Sequence, residues 1–106
     1  MVDRSAITQF CQAVVREFRP RKVILFGSYA AESPTADSDV DLLVIMPHRA
    51  KNVRKAVEIL GRVPPNFPVD LLVRTPSEVR RRVRQNDWFM RDIMEKGLVL
   101  YEAPDA

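Results

Sequence analysis

Between Val23 and Met46 the chain reads VILFGSYAAESPTADSDVDLLVIM: two apolar runs flank a polar loop, and the second run opens with two aspartates spaced two apart. Residues i and i+2 of a strand project from the same face, so Asp39 and Asp41 are expected to point into one space where a strand begins. Aspartate is depleted in strands and costly to bury unless something neutralises it. The spacing therefore predicts a cation site, and carboxylate oxygens suit Mg²⁺.

Around that stretch the pattern alternates helix and strand. Ile7, Phe10, Cys11, Val14, Val15 and Phe18 recur at three- and four-residue spacing, which predicts an amphipathic helix capped by Ser5 and closed by Pro20. Lys22 to Phe26 reads as a short buried strand ending at Gly27, and Val40 to Met46 as a second strand stopped by Pro47. Val53, Ala56, Val57 and Leu60 mark a second helix that Gly61 is expected to end. A third strand is expected over Val69 to Arg74. Thr75-Pro76-Ser77-Glu78 then has the parts of a helix start, with Thr75 as N-cap, Pro76 in the first turn and Glu78 completing a capping box. That helical region breaks near Asn86-Asp87, resumes across Phe89, Ile93 and Met94 to Gly97, and leads into a last strand at Leu98 to Tyr101. The expected architecture is α/β: a small single domain over residues 1–106, with a mixed sheet of about four strands flanked by helices.

The motif VDLLV recurs at Val69 to Val73 and places Asp70 near the start of a strand that can lie beside the Asp39/Asp41 strand. Three carboxylates on adjacent strands can hold two Mg²⁺ ions, which at about 3.5–4 Å apart stabilise the attacking and leaving oxygens of an in-line phosphoryl displacement. Asp70, if it touches only one ion, is the candidate to draw the proton from the attacking hydroxyl. Gly27-Ser28 supplies the complementary grip on an anion: glycine permits close backbone approach, and amides opening a helix expected near Ser28 would point at a phosphate. Singly, a Gly-Ser or an Asp-x-Asp is usually a turn or a polar strand end. Their combination with a third aspartate on a later strand is what points to a site.

Length and charge narrow the alternatives. At 106 residues, 46% hydrophobic, the chain holds one core. It has no apolar run of the roughly 18–20 residues that a membrane span requires, and its N-terminus lacks the layout of a signal peptide, so a cytoplasmic protein is expected. The one cysteine, Cys11, falls on an apolar stripe and reads as core. Acidic residues gather around Asp37 to Asp41 while Arg80, Arg81, Arg82 and Arg84 form a basic block, read as a solvated helix face. His48 is expected in an exposed loop, and Trp88 and Phe89 in the core or an interface; direct nucleic-acid binding is not expected.

Taken together, Gly27, Ser28, Asp39, Asp41 and Asp70 resemble the motif of the minimal nucleotidyltransferases of the DNA polymerase β superfamily, and DWFMRDIMEKGLVLYE resembles that family's closing helix and strand. The resemblance covers nearly the whole chain. It implies Mg²⁺-dependent transfer of a nucleoside monophosphate from a nucleoside triphosphate such as ATP to a hydroxyl. Minimal members of this type resemble antitoxins paired with a helical HEPN ribonuclease toxin, which implies transfer of AMP to a tyrosine of the toxin. A homodimer completing the site, a non-catalytic module that occludes a helical partner, and a small hydroxylated acceptor such as an aminoglycoside stay open. Where the family commonly has a basic residue and then glycine, this chain has Ala31 and Glu32. Compensating positive charge is expected from Arg74 and Arg80 to Arg84, or from a partner.

Overall fold

A computed structural model describes residues 1–104; the last two residues of the expected 1–106 domain lie outside the described residues. The elements run α1 (Arg4–Phe18), β1 (Lys22–Phe26), β2 (Val40–Ile45), α2 (Asn52–Arg62), β3 (Val69–Arg74), α3 (Pro76–Arg84), α4 (Trp88–Lys96) and β4 (Leu98–Glu102). The strands form one sheet in the order β3-β2-β1-β4. β2 pairs in parallel with β3, while β1 is antiparallel to both β2 and β4, so the sheet is mixed as expected.

Strand alternation sorts the apolar side chains into two layers. Val23, Leu25, Val40, Leu42, Val44, Leu71 and Val73 turn to one face, where Ile7, Phe10, Cys11 and Val14 of α1 and Ile59 of α2 cover them. Ile24, Leu43 and Ile45 turn to the other, under Val79 of α3 and Met90 and Ile93 of α4. β2, central and covered on both faces, is buried from Leu42 to Ile45, which is why it reads as a continuous apolar run after Asp41.

Several boundaries depart from the sequence expectation, each for a local reason. Asp3, not Ser5, is the N-cap residue of α1, and Ser5 instead donates its hydroxyl to the Asp3 carboxylate at 3.0 Å. Gly61 does not end α2, which continues through Arg62 to a cap at Val63. Val53 and Val57 were expected on the core stripe of α2 but are 77% and 65% exposed; Ile59, with Ala56 and Leu60 beside it, makes the contact with the sheet. At Thr75 half of the capping box forms: its side chain accepts from the Glu78 amide at 3.2 Å. The Glu78 carboxylate, however, accepts from Asn52 at 2.9 Å and from Arg82 at 3.2 Å, tying α3 to the start of α2. Burial raises the proton affinity of Glu78, but these hydrogen bonds and the nearby Arg74 and Arg82 charges outweigh it and hold the group below the usual carboxylate range. His48 is half-buried, not exposed, with Nε2 2.9 Å from Asn52 Oδ1.

Candidate active site

Three elements meet at one end of the sheet: the end of β1 with the turn after it, the start of β2, and the start of β3. In the β2–β3 register Asp41 stands directly opposite Asp70, and in the β1–β2 register it stands opposite Phe26. Paired residues share a face, so Phe26, Asp41 and Asp70 form a row across three neighbouring strands. It lies on the face that α3 and α4 cover, because Leu43 and Ile45, two and four residues beyond Asp41, belong to that layer. Asp39 precedes β2 on the same alternation and is exposed, as is Asp70; Asp41 is half-buried. The parallel pairing that brings Asp70 beside Asp41 requires a crossover, and α2 provides it.

Burial, then the charges of Asp70 and Asp39, push the Asp41 carboxyl above the usual carboxylate range. Such coupling is what a cation would relieve, and carboxylate oxygens are the donors that a hard divalent ion takes. Among the described residues no three Asp, Glu, His or Cys side chains stand close enough together to enclose a metal ion. Thus the donor chemistry fits Mg²⁺, while convergence on an ion requires side-chain rotation, which the exposure of Asp39 and Asp70 permits.

Gly27 has φ +73°, a conformation that L side chains rarely adopt, and a Cβ built there would overlap the Asp41 carboxylate. The glycine is therefore required twice over, by its own backbone and by the acid packed against it. The helix expected to open near Ser28 is absent. Residues 27–32 form a turn instead, closed by Ala31 N–H to Gly27 C=O at 3.1 Å and Ser33 N–H to Ser28 C=O at 2.9 Å, with Glu32 also at positive φ. A buried Tyr29 anchors this turn in the α1/α2-side core and accepts the Val2 amide on its hydroxyl at 2.9 Å.

Two of the arginines expected to supply positive charge, Arg74 and Arg82, are held by other groups. Arg74 ends β3, four residues beyond Asp70 and so about 13 Å away at 3.3 Å per residue. It donates to its neighbour Val73 C=O at 2.7 Å and lies 3.9 Å from Glu78. Arg82 is held by Glu78 and by Asp87, the N-cap of α4. Arg80, Arg81 and Arg84 are exposed on α3. What the sequence reading missed is Lys96: it lines a cleft of about 330 Å³ together with Phe26, Gly27, Ala31 and Asp92, and its ammonium lies 3.2 Å from the Asp92 carboxylate. A signal existed in Lys96-Gly97, a cation in the last turn of a helix that returns to the sheet, but only the fold brings that turn beside Gly27. Phe89 closes the same side, its ring edge-on to Phe26 at 5.9 Å between centroids. Trp88, expected in a core or interface, is 74% exposed and takes no part in the core.

The profile of the family described as "Nucleotidyltransferase domain" matches residues 7–103, a span that includes the turn and all three aspartates. This chain belongs to that family. It is a nucleotidyltransferase. A candidate protein adenylyltransferase from Methanocaldococcus jannaschii is 31% identical over 103 residues, covering 95% of this chain and 100% of the relative. The crystal structure of a candidate nucleotidyltransferase from Sulfolobus solfataricus superposes with a TM-score of 0.65 at 19% identity, covering 92% of this chain and 78% of that one, and so shares the fold. A toxin–antitoxin crystal structure with AMP-PNP aligns over 92% of this chain and 75% of its own at 18% identity, with a TM-score of 0.49. Among the described residues no helix is long and apolar enough to cross a membrane.

Proposed function

We propose that this nucleotidyltransferase moves AMP from ATP to a hydroxyl of another protein, a tyrosine of a helical HEPN ribonuclease toxin, and so acts as its antitoxin. The observation that carries the reading is the in-register Asp41–Asp70 pair beside a glycine turn packed against Asp41. The relative described as a candidate protein adenylyltransferase supports a protein acceptor. Asp39, Asp41 and Asp70 would hold Mg²⁺, which when bound neutralises charge on the triphosphate and the transferring phosphoryl group. Asp70 accepts the proton of the acceptor hydroxyl as its oxygen attacks the α-phosphorus; the bond to the bridging oxygen breaks and pyrophosphate leaves. The turn after Gly27 positions the triphosphate through backbone amides, with Gly27 and Ser28 nearest the acids. Lys96 fills the role of the basic residue that Ala31 replaces, once it exchanges Asp92 for a phosphate.

The test is label transfer. The purified chain, a co-expressed HEPN protein and ATP labelled at the α-phosphorus are incubated with Mg²⁺. Label should appear on a tyrosine of the partner, vanish with EDTA, and be lost in Asp41→Asn. Label retained by Asp41→Asn, or absent from the partner while the two proteins bind, would reject transfer as the means of neutralisation.

A further inference from the structure

Two clefts run into each other along the β4 side of the sheet. β4 is an edge strand, paired only with β1. Between it and α1 lies a groove of about 370 Å³ lined by Thr8, Cys11, Gln12, Val15, Leu100 and Tyr101. Past Val15 and Tyr101, which line both, it opens into a cleft of about 550 Å³ bordered by Arg16, Arg19 and Arg21. Among the described residues none of these three arginines is in an ion pair. Arg16 lies in the last turn of α1, where it complements the dipole, Arg19 is the C-cap residue at the same end, and Arg21 lies beyond the helix.

The strand itself carries a single charge, Glu102, at its last residue. Edge strands are commonly protected by charges or proline, and β3, the opposite edge, carries Asp70 and Arg74. β4 reads LVLY before its first charge at Glu102, with Leu98 and Val99 37% and 52% exposed. Its register with β1 jumps from Tyr101↔Val23 to Val99↔Ile24, so Leu100 is the extra residue of a bulge and packs on the α1 side, where it floors the groove.

We propose that the α1–β4 groove and the arginine cleft form one docking surface for an extended segment of another protein. Apolar side chains of that segment seat over Cys11, Val15 and Leu100, and an acidic end is held by Arg16, Arg19 and Arg21. The geometry supplies an apolar floor, outward-facing backbone at a sheet edge and a charged end that sets direction, the elements of strand-type peptide recognition. Arg21 immediately precedes β1 and Gly27 immediately follows it, so along the strand the grip stands roughly 20 Å from the acidic end at about 3.4 Å per strand residue. The grip is on the α1 face of the sheet and the acids on the α3/α4 face, so a partner held in the groove reaches the acids by passing around the sheet, not along one face. This deepens the protein-acceptor reading and rests on it only for the identity of the segment's owner.

Fluorescence anisotropy with synthetic probes tests it without ATP or Mg²⁺. One labelled peptide alternates valine and threonine and ends in a run of glutamates; the control ends in lysines. The acidic peptide should bind and the control should not. Combined Arg16→Glu, Arg19→Glu and Arg21→Glu should weaken binding about tenfold or more, and Thr8→Trp, which fills the groove from an exposed helix position, should do likewise with an unchanged melting temperature. Equal binding of the two peptides would overturn the proposal. So would an oligothymidylate that competes with the peptide and is insensitive to Thr8→Trp, because the surface would then recognise phosphates. Sedimentation showing copies of the chain associated through the groove, released by Thr8→Trp, would assign the surface to self-association and overturn it equally. Peptide binding without AMP transfer would reject the enzymatic reading alone, and transfer without peptide binding would reject the docking surface alone.

Discussion

Gly27→Ala is expected to destabilise the domain by two separable effects. The first is backbone strain: at φ +73° an L residue costs about 1–2 kcal/mol relative to glycine. The second is the overlap of the new Cβ with the Asp41 carboxylate, which must leave its position against the turn. Residues in contact typically couple by about 0.5–3 kcal/mol, so the total is about 1.5–5 kcal/mol. Since 1 kcal/mol corresponds to about 4–8 °C in a domain near this size, melting should fall by at least about 6 °C. The assay is urea unfolding followed by circular dichroism without divalent cation, on the four proteins of a cycle between Gly27→Ala and Asp41→Ala. In the Asp41→Ala background the strain remains and the overlap is gone, so the glycine substitution should cost less there by the coupling term. An identical cost in both backgrounds would refute the claim that the packed acid demands glycine. Gly61→Ala is the natural control, because nothing lies within 4 Å of a Cβ there and α2 continues through it; it should stabilise by about 0.5–1 kcal/mol.

Two further outcomes follow from groups whose titration the fold shifts. The fold raises the Asp41 value, so the native state prefers the neutral acid and loses stability as pH rises from the unfolded value of about 3.9 through the raised one. Asp41→Asn should accordingly be more stable than the parent at neutral pH in EDTA, with the gap closing below about pH 3.9; a gap independent of pH in thermal melts would contradict the assigned cause. Burial pushes the Cys11 thiol up to about 11, so its share of stability should be intact at neutral pH and lost from about pH 8.5, the unfolded value, towards 11. The same burial should leave the thiol inert to a chromogenic disulfide in the native state, and rapid labelling would contradict it.

What could be read from residues alone followed from local rules. The two-residue alternation placed Asp39, Asp41 and Asp70 at strand starts, and β1 and β3 occupy the expected ranges because Gly27 and Thr75-Pro76 punctuate them unambiguously. What could not be read depends on which surface another element covers. Val53 and Val57 look like a core stripe, yet the crossover turns Ile59 inward instead. Glu78 had a local partner available in its own helix start, but it bonds instead to Arg82, its i,i+4 neighbour on α3, and to Asn52, which no spacing rule connects to it. Lys96 was invisible as a neighbour of Gly27 because the two are brought together by the β1–β4 pairing and the packing of α4 on β1.

The facing of Asp41 and Asp70 has a bearing on how the chain folds. Both are the second residue of a VDLLV segment, and a shift of β3 by one residue would still pair apolar with apolar along most of its length. Such a shift would also turn Asp70 inward, to the layer where Leu71 and Val73 now pack under α1 and α2. Stranding an unpaired carboxylate there costs several kcal/mol, comparable to a large share of a small domain's stability. The acid thus acts as a proofreading mark: it makes the near-miss alignment of two identical segments the one the folding chain discards.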